Sequence, residues 1–131
     1  MEKKYFTSVR EELELFLANV KVEIDPLVPP TAKIKIGSLG NVVDTIFVYL
    51  SYFPNNDPSE ESIDVTIEVK LGNGNGRFNA DICWSNGEII EELVDREFGY
   101  ISLKNLQDQV KKMTEEIAVN VISYFQNLST K

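Results

Sequence analysis

Apolar residues recur every three or four positions near both ends of the chain and every second position in the middle. The first spacing is typical of helices that bury one face, and the second of strands that do so. At the N-terminus, the spacing of three or four predicts a helix that begins between Glu2 and Ser8, where Ser8 and Glu11 fit a capping box. Its apolar stripe contains Tyr5, Val9, Leu13, Phe16, Leu17 and Val20.

A second helix is predicted at the C-terminus, where Ser102 suits the N-cap. The apolar rhythm then continues for about seven turns. It comprises Leu103, Leu106, Val110, Met113, Ile117, Val121, Tyr124, Phe125 and Leu128. The regular spacing would also suit a dimer seam. A sheet with an open apolar face needs covering first, so we expect this helix to pack on the sheet.

Between the helices, the period of two predicts strands. Residues 22–25 are compatible with a short strand that ends before the prolines of residues 26–30. Residues 31–36 alternate, and Lys33 and Lys35 on the polar face are typical of an edge strand. Residues 37–41 contain two glycines and predict a turn.

Residues 42–53 form the most hydrophobic run of the chain, and both of its faces are apolar or aromatic. The commoner interpretation is a central strand covered on both sides. The alternative is a strand with one exposed aromatic ladder. That alternative would make Phe47, Tyr49 and Phe53 candidates for an interface.

Residues 63–71 show the clearest alternation, with Ile63, Val65, Ile67, Val69 and Leu71 on one face. Residues 72–76 contain three glycines between two predicted strands. A dinucleotide site would need a helix N-terminus after the glycines to hold the pyrophosphate. We therefore interpret this segment as a hairpin loop.

Residues 76–99 predict a second hairpin. Its first arm buries Phe78, Ala80, Ile82 and Trp84, and Asn86-Gly87 favours a two-residue type I′ turn. The apolar residues of the second arm are Ile89, Ile90, Leu93 and Val94. Their spacing fits either a short helix or a strand that contains a bulge.

The order of elements predicts an α+β protein of one domain, residues 1–131. An N-terminal helix is followed by an antiparallel meander of about five or six strands, because short connections favour antiparallel neighbours. A long C-terminal helix packs on the sheet.

The chain has a formal net charge of −8, and this excess is local. Residues 54–100 hold 11 acidic and 3 basic residues, whereas the rest of the chain is balanced. Such a field repels phosphate backbones and steers basic partners towards one region. The predicted partner-binding residues are Asp57, Glu60, Glu61, Asp64, Glu88, Glu91, Glu92, Asp95 and Glu97.

The residues needed for catalysis are scarce. The chain has no histidine, so the usual general base and common zinc ligand are missing. Its one cysteine, Cys83, lies in a predicted strand. Asp57, Glu60, Glu61 and Asp64 lack the ligand spacing and central glycine of a calcium loop. We expect no catalytic residues, no metal site and no cofactor, and therefore no enzyme.

No segment is apolar enough for a signal peptide or a bilayer span. We therefore expect a cytoplasmic protein that does not bind membranes. The localised negative charge predicts that it does not bind nucleic acid directly either.

The second predicted hairpin carries a family resemblance. A strand that ends in Ile82-Cys83-Trp84-Ser85-Asn86-Gly87 precedes an acidic strand that ends in Leu93-Val94-Asp95. Phe98-Gly99 and a helix capped by Ser102 follow, with Phe98-Gly99 where the group's pattern has Thr-Gly. Residues 77–125 thus resemble the immunity proteins of bacterial contact-dependent inhibition and polymorphic toxin systems, and are most similar to the TriTu immunity group.

The resemblance implies a protein that binds and neutralises the C-terminal domain of one cognate toxin. It also implies that this toxin is a tRNA-cleaving nuclease that acts with elongation factor Tu. The acidic region independently suits a basic nuclease. Two alternatives stay open: an acidic type III-like secretion chaperone that binds an effector segment, and a ligand-binding domain with an apolar cavity between sheet and helix.

Overall fold

A computed structural model of the chain describes residues 3–42 and 44–129. The strands form one antiparallel sheet in the order β1-β2-β3-β4-β5, which is a meander. Helices precede and follow it, so the predicted α+β architecture is confirmed. In chain order the elements are α1 (Lys3–Ile24), a short 3-10 turn (Asp25–Leu27), β1 (Lys33–Val42), β2 (Thr45–Phe53), β3 (Ile63–Leu71), β4 (Asn75–Trp84), β5 (Ile89–Gly99) and α2 (Leu103–Ser129).

The core lies between one face of the sheet and the two helices, which contact each other. Every apolar residue of β3 predicted to face inward is buried there, from Ile63 to Leu71. The ring of Tyr52 on β2 packs edge-on against Phe125 of α2, with ring centroids 5.6 Å apart. Burial of this single apolar face is the main stabilising contribution to the fold.

The boundaries of α1 differ from two predictions. The helix begins at Lys3, within the predicted limits, and Glu2 lies outside the described residues. Ser8 is therefore inside the helix and cannot cap it; its Oγ instead accepts a hydrogen bond from Gln107 Nε2 at 2.7 Å. The strand predicted at residues 22–25 is also wrong. Ile24 extends the apolar stripe four residues beyond Val20 and is fully buried, so the helix continues to the start of the prolines.

The turn predicted at residues 37–41 is wrong as well. β1 continues through this segment, where Gly37 pairs with Tyr49 and Leu39 with Phe47. The glycine is tolerated because Tyr49 covers it: a Cβ atom on Gly37 would lie 2.5 Å from Tyr49 Cζ. β1 is an edge strand, as predicted. Residue 43, at the connection to β2, lies outside the described residues.

The turn between β4 and β5 contains Asn86 and Gly87 but is not the predicted type I′ turn. Gly87 N–H donates to Trp84 O, and Trp84 N–H donates to Glu88 O, both at 2.8 Å. Gly87 has a φ of 92°, whereas Asn86 is not in the positive-φ region. The loop is therefore three residues long, with glycine in the left-handed position. Asn86 Oδ1 stabilises it by accepting from Glu88 N–H at 2.9 Å.

β5 is a strand with two bulges. Of the two structures predicted for this segment, the bulged strand is therefore confirmed and the short helix is wrong. Ala80 pairs with Val94 but Asp81 with Glu92, so Leu93 is skipped. The register shifts again between Ile82 and Cys83, where Ile90 is skipped. Each extra residue reverses the alternation of the strand. Glu91 and Glu92, neighbours in sequence, consequently lie opposite inward-facing Ile82 and outward-facing Asp81, respectively.

Trp84 lies at the end of β4 and is less buried than predicted. Phe78, Ala80 and Ile82 on the same face are completely buried, but Trp84 is 36% exposed. We expect Trp84→Ala to reduce the free energy of unfolding by about 1–2 kcal/mol, less than the 3–5 kcal/mol of a fully buried tryptophan. Urea unfolding followed by circular dichroism measures this difference. A loss above that lower range would contradict the partial exposure of the ring.

The N-terminus of α2 is capped as predicted. Asn105 N–H donates to Ser102 Oγ at 3.1 Å, and Ile101 N–H donates to Asn105 Oδ1 at the same distance. The two bonds pair the cap and the first turn reciprocally. They fix the start of the helix beside the end of β5.

Candidate interaction surface

The sheet face that points away from the helices has no helix or strand packed on it within residues 3–42 and 44–129. We call it the open face. It is made of alternate residues of the five strands, aligned in rows by the strand register. From β1 to β5 its main rows are Leu39-Phe47-Glu68-Asn79-Asp95, Gly37-Tyr49-Thr66-Asp81-Glu92 and Lys35-Ser51-Asp64-Cys83-Ile89.

We call the apolar residues on the β1–β2 side of the open face the aromatic half: Leu39, Phe47, Tyr49 and Phe53. Lys33 and Lys35 of β1 share this side of the sheet. Leu39 is 52% exposed, and the three aromatic side chains are half-buried. None of the four belongs to the core cluster or packs against it. The Phe47 and Tyr49 rings are neighbours, with centroids 6.3 Å apart. Of the two interpretations of β2, the exposed aromatic ladder is correct and the strand covered on both sides is wrong.

The β3–β5 side, the acidic half, carries six carboxylates: Asp64, Glu68, Asp81, Glu92, Asp95 and Glu97. Two bases share it, Lys70 and Arg77, which leaves a formal charge of −4. Arg77 forms a two-pronged salt bridge with Asp95, in which Nε–Oδ1 and Nη2–Oδ2 are both 2.8 Å. This bridge holds the pKa of the Asp95 carboxyl below its usual value.

The cations are concentrated at one end of the acidic half. Lys70 and Arg77 are directly opposite each other near the turn between β3 and β4. Towards the other end, Asp81 and Glu92 face each other across β4 and β5. Partial burial raises the pKa of Asp81, and Glu92 and Asp95 raise it further. Like charges placed opposite each other destabilise a sheet, so this end favours a cationic ligand.

The nine predicted partner-binding residues do not share one surface. Four lie on the open face, in the acidic half: Asp64, Glu92, Asp95 and Glu97. Glu91 lies on the helix-facing side, where its charge adds to the effect of burial in raising the pKa of Tyr124. The remaining four lie in the β2–β3 loop or the β4–β5 turn: Asp57, Glu60, Glu61 and Glu88.

The loop and the turn meet at one end of the sheet, where Ser85 N–H donates to Ser62 O at 3.0 Å. Asp57 is engaged locally there, since it accepts from the hydroxyl and the N–H of Ser59, which lowers its pKa. Sequence reasoning missed two carboxylates of the open face, Glu68 and Asp81. Both lie at polar positions of strands in which polar and apolar residues alternate. This alternation was the signal from which their face could have been predicted.

Metal binding and thiol chemistry would depend on the acidic side chains and on the single cysteine, Cys83. Within the described residues, no group of three or more histidine, cysteine or acidic side chains is arranged to hold a metal ion. Burial raises the pKa of the Cys83 thiol, and Asp64 and Asp81 raise it further. A higher pKa leaves less of the reactive thiolate at neutral pH.

Neither helix, as far as the structure describes them, is long and apolar enough to cross a membrane. Comparisons with protein families, curated proteins and solved structures found no match to this chain.

The partial burial of Asp81, together with the nearby charges of Glu92 and Asp95, gives the protein a specific pH dependence. Because the pKa of Asp81 is raised by folding, its ionised form destabilises the native state at neutral pH. This penalty is relieved as the pH falls through the folded pKa. We expect Asp81→Asn to raise the free energy of unfolding at pH 7 by about 0.5 kcal/mol. The gain should disappear below pH of about 3.8, where the carboxyl is protonated in both states.

Asp95→Asn is the matched control for that experiment. In the wild type, Arg77 lowers the pKa of the Asp95 carboxyl. The ionised carboxylate therefore stabilises the native state at pH values above the pKa of Asp95 in the unfolded chain. The substitution should therefore destabilise the protein at pH 7, with a difference that fades as the pH falls through the folded pKa. Unfolding curves at several pH values measure both. Equal effects of the two substitutions would contradict the different surroundings of these carboxylates.

Proposed function

We propose that this chain is an immunity protein that binds the basic nuclease domain of a cognate toxin through the open face and blocks its access to RNA. The observation that carries the proposal is the acidic half. Six carboxylates lie on one face of three neighbouring strands, with two bases confined to one end. A folded surface of this kind suits a partner that is itself folded and positively charged.

Electrostatics explains how such a surface would inhibit a nuclease. A ribonuclease must present cations to the phosphates of its substrate. Neighbouring strands are about 4.8 Å apart. Carboxylates fixed on such strands can form ion pairs with the cations that the nuclease would otherwise present to RNA. The opposed charges would also accelerate association, and salt would slow it. The inhibitor would thereby compete with RNA for one surface.

The resemblance to the TriTu immunity group supports the same proposal. Its acidic strand corresponds to β5, where Val94 faces inward and Asp95 faces outward. The bulge at Leu93 turns Glu92 to the same face as Asp95. The feature shared with the group, an acidic strand after a tryptophan-containing hairpin, thus forms one margin of the open face.

The proposed function places a toxin gene immediately upstream of this chain, and the test uses the nuclease domain that it would encode, incubated with tRNA and elongation factor Tu. We expect cleavage to stop when the purified protein reaches an equimolar amount, and inhibition to weaken as salt is raised. A nuclease from an unrelated toxin is the control and should stay active. Undiminished cleavage at a large excess of the protein would overturn the proposal. A dimer that leaves the folded nuclease active but binds an unfolded effector segment would instead identify a secretion chaperone.

A further inference from the structure

We infer that the aromatic half of the open face is the second part of the same binding surface, and that it receives an exposed apolar side chain of the basic partner. This inference rests on the proposed function. It assigns a role to side chains that the charge argument does not use.

The first reason is that these side chains contribute nothing to the core. Leu39, Phe47 and Tyr49 lie on the opposite side of the sheet from both helices, and none packs against the core cluster. Apolar groups clustered on an otherwise polar surface are characteristic of interfaces. Aromatic residues in particular anchor protein–protein contacts.

The second reason is the shape of this half. The Tyr49 side chain extends over Gly37 on the neighbouring edge strand, where a Cβ atom would lie 2.5 Å from Tyr49 Cζ. The ring therefore covers the backbone of β1 instead of projecting from the sheet. Leu39 and Phe47, paired in the adjacent row, bound the ring on one side. Together they present a low apolar floor that an inserted side chain can contact.

The third reason is the position of this floor beside the acidic half. Tyr49, Thr66, Asp81 and Glu92 occupy one row on successive strands. With strands about 4.8 Å apart, the backbone positions of Tyr49 and Asp81 lie about 10 Å apart, and the ring, which extends over Gly37 on β1, lies about 14 Å from Asp81. A partner whose lysine or arginine reaches Asp81 would place a neighbouring part of its surface over Tyr49.

The charge of the face selects the kind of partner. Two copies of this chain, placed face to face, would oppose surfaces that each carry a net negative charge, which is −2 when Lys33 and Lys35 of β1 are counted with the acidic half. Like charges across an interface are strongly unfavourable. The occupant that fits is a folded basic domain with an aliphatic or aromatic side chain about 10–14 Å from a lysine or arginine.

The experiment compares two leucines of similar exposure in the binding of the upstream-encoded nuclease domain. Leu39 is 52% exposed on the open face, and Leu15 is 57% exposed on α1. We expect Leu39→Ala to speed dissociation about tenfold, because apolar contacts act mainly on the dissociation rate. The salt dependence of association should not change. Leu15→Ala should bind like the wild type, and Phe47→Ala should repeat the effect of Leu39→Ala.

The outcomes separate this inference from the proposed function. A wild-type protein that does not bind the nuclease overturns both. A wild-type protein that binds, with Leu39→Ala and Phe47→Ala unchanged, overturns the inference alone. Sedimentation of the unbound protein provides a further check. A wild-type dimer that Leu39→Ala dissociates would place a second copy on the aromatic half and also overturn the inference.

Discussion

Replacing Phe78 by alanine is expected to reduce the free energy of unfolding by about 3–5 kcal/mol, because a fully buried phenylalanine leaves a cavity that the core cannot fill. Phe78 is 0% exposed and lies on β4, the fourth strand of the sheet, under the helices. Urea unfolding measures the loss. The single tryptophan, Trp84, lies on the same strand and provides a fluorescence signal beside circular dichroism.

Phe47→Ala is the matched control, because it removes the same ring from the opposite face of the sheet. Phe47 is half-buried and makes no contact with the core cluster. We expect it to cost about 1 kcal/mol, mainly through the lost contact with Tyr49. Equal losses for Phe47 and Phe78 would contradict the division of the sheet into a covered face and an open face.

Hydrophobic periodicity was sufficient to predict most of the fold. Residues 63–71 alternate without a break, and all five of their inward residues are buried in β3. The stripe of α2 was equally regular, and its N-cap at Ser102 is formed by the predicted bond. These elements could be predicted because their pattern is local and the burial of one face explains it fully.

The errors occurred where a non-local contact outweighs a local preference. Two glycines in residues 37–41 favour a turn, yet pairing with β2 extends the strand and Tyr49 covers Gly37. Residues 22–25 could form a strand in isolation, but burial of Ile24 keeps residues 22–24 in the helix. Neither partner is adjacent in sequence, so neither contact could be derived from the local pattern.

The open face was only partly predictable for the same reason. Alternation alone shows which residues of β3 and β4 share a face, and it would have included Glu68 and Asp81. β5 is different, because each bulge reverses the side on which the following residues lie. The need for a bulge was evident from the apolar spacing, but its position depends on pairing with β4. The facing of Glu91 and Glu92 therefore required the strand register.

The open face also relates function to stability. Asp81 and Glu92 repel each other in the unbound protein, and removal of either charge should stabilise the sheet. A cationic partner would relieve this repulsion on binding. Residues that lower the stability of the free protein are expected at sites of interaction. The acidic end of the open face has this property, whereas the Arg77–Asp95 bridge satisfies its own charges.

Reversing the charge at Glu92 with the substitution Glu92→Lys is expected to weaken binding of the nuclease about a hundredfold, since the introduced ammonium group would face the partner's cations. Stability should not fall, because that ammonium group would pair with Asp81 across the strands. Glu91→Lys is the control: the same change one residue earlier in sequence, on the helix-facing side. It should leave binding within about threefold of the wild type, because its charge acts only at a distance.

Surface plasmon resonance at several salt concentrations measures both variants against the wild type, and thermal unfolding confirms that each is folded. The two variants differ only in the side of the sheet on which the substituted residue lies. Comparing them therefore tests the bulged register of β5 together with the binding surface. Equal losses for Glu91→Lys and Glu92→Lys would mean that only the overall charge matters. A larger loss for Glu91→Lys would place the partner at the β5 edge, on the side of α2, and not on the open face.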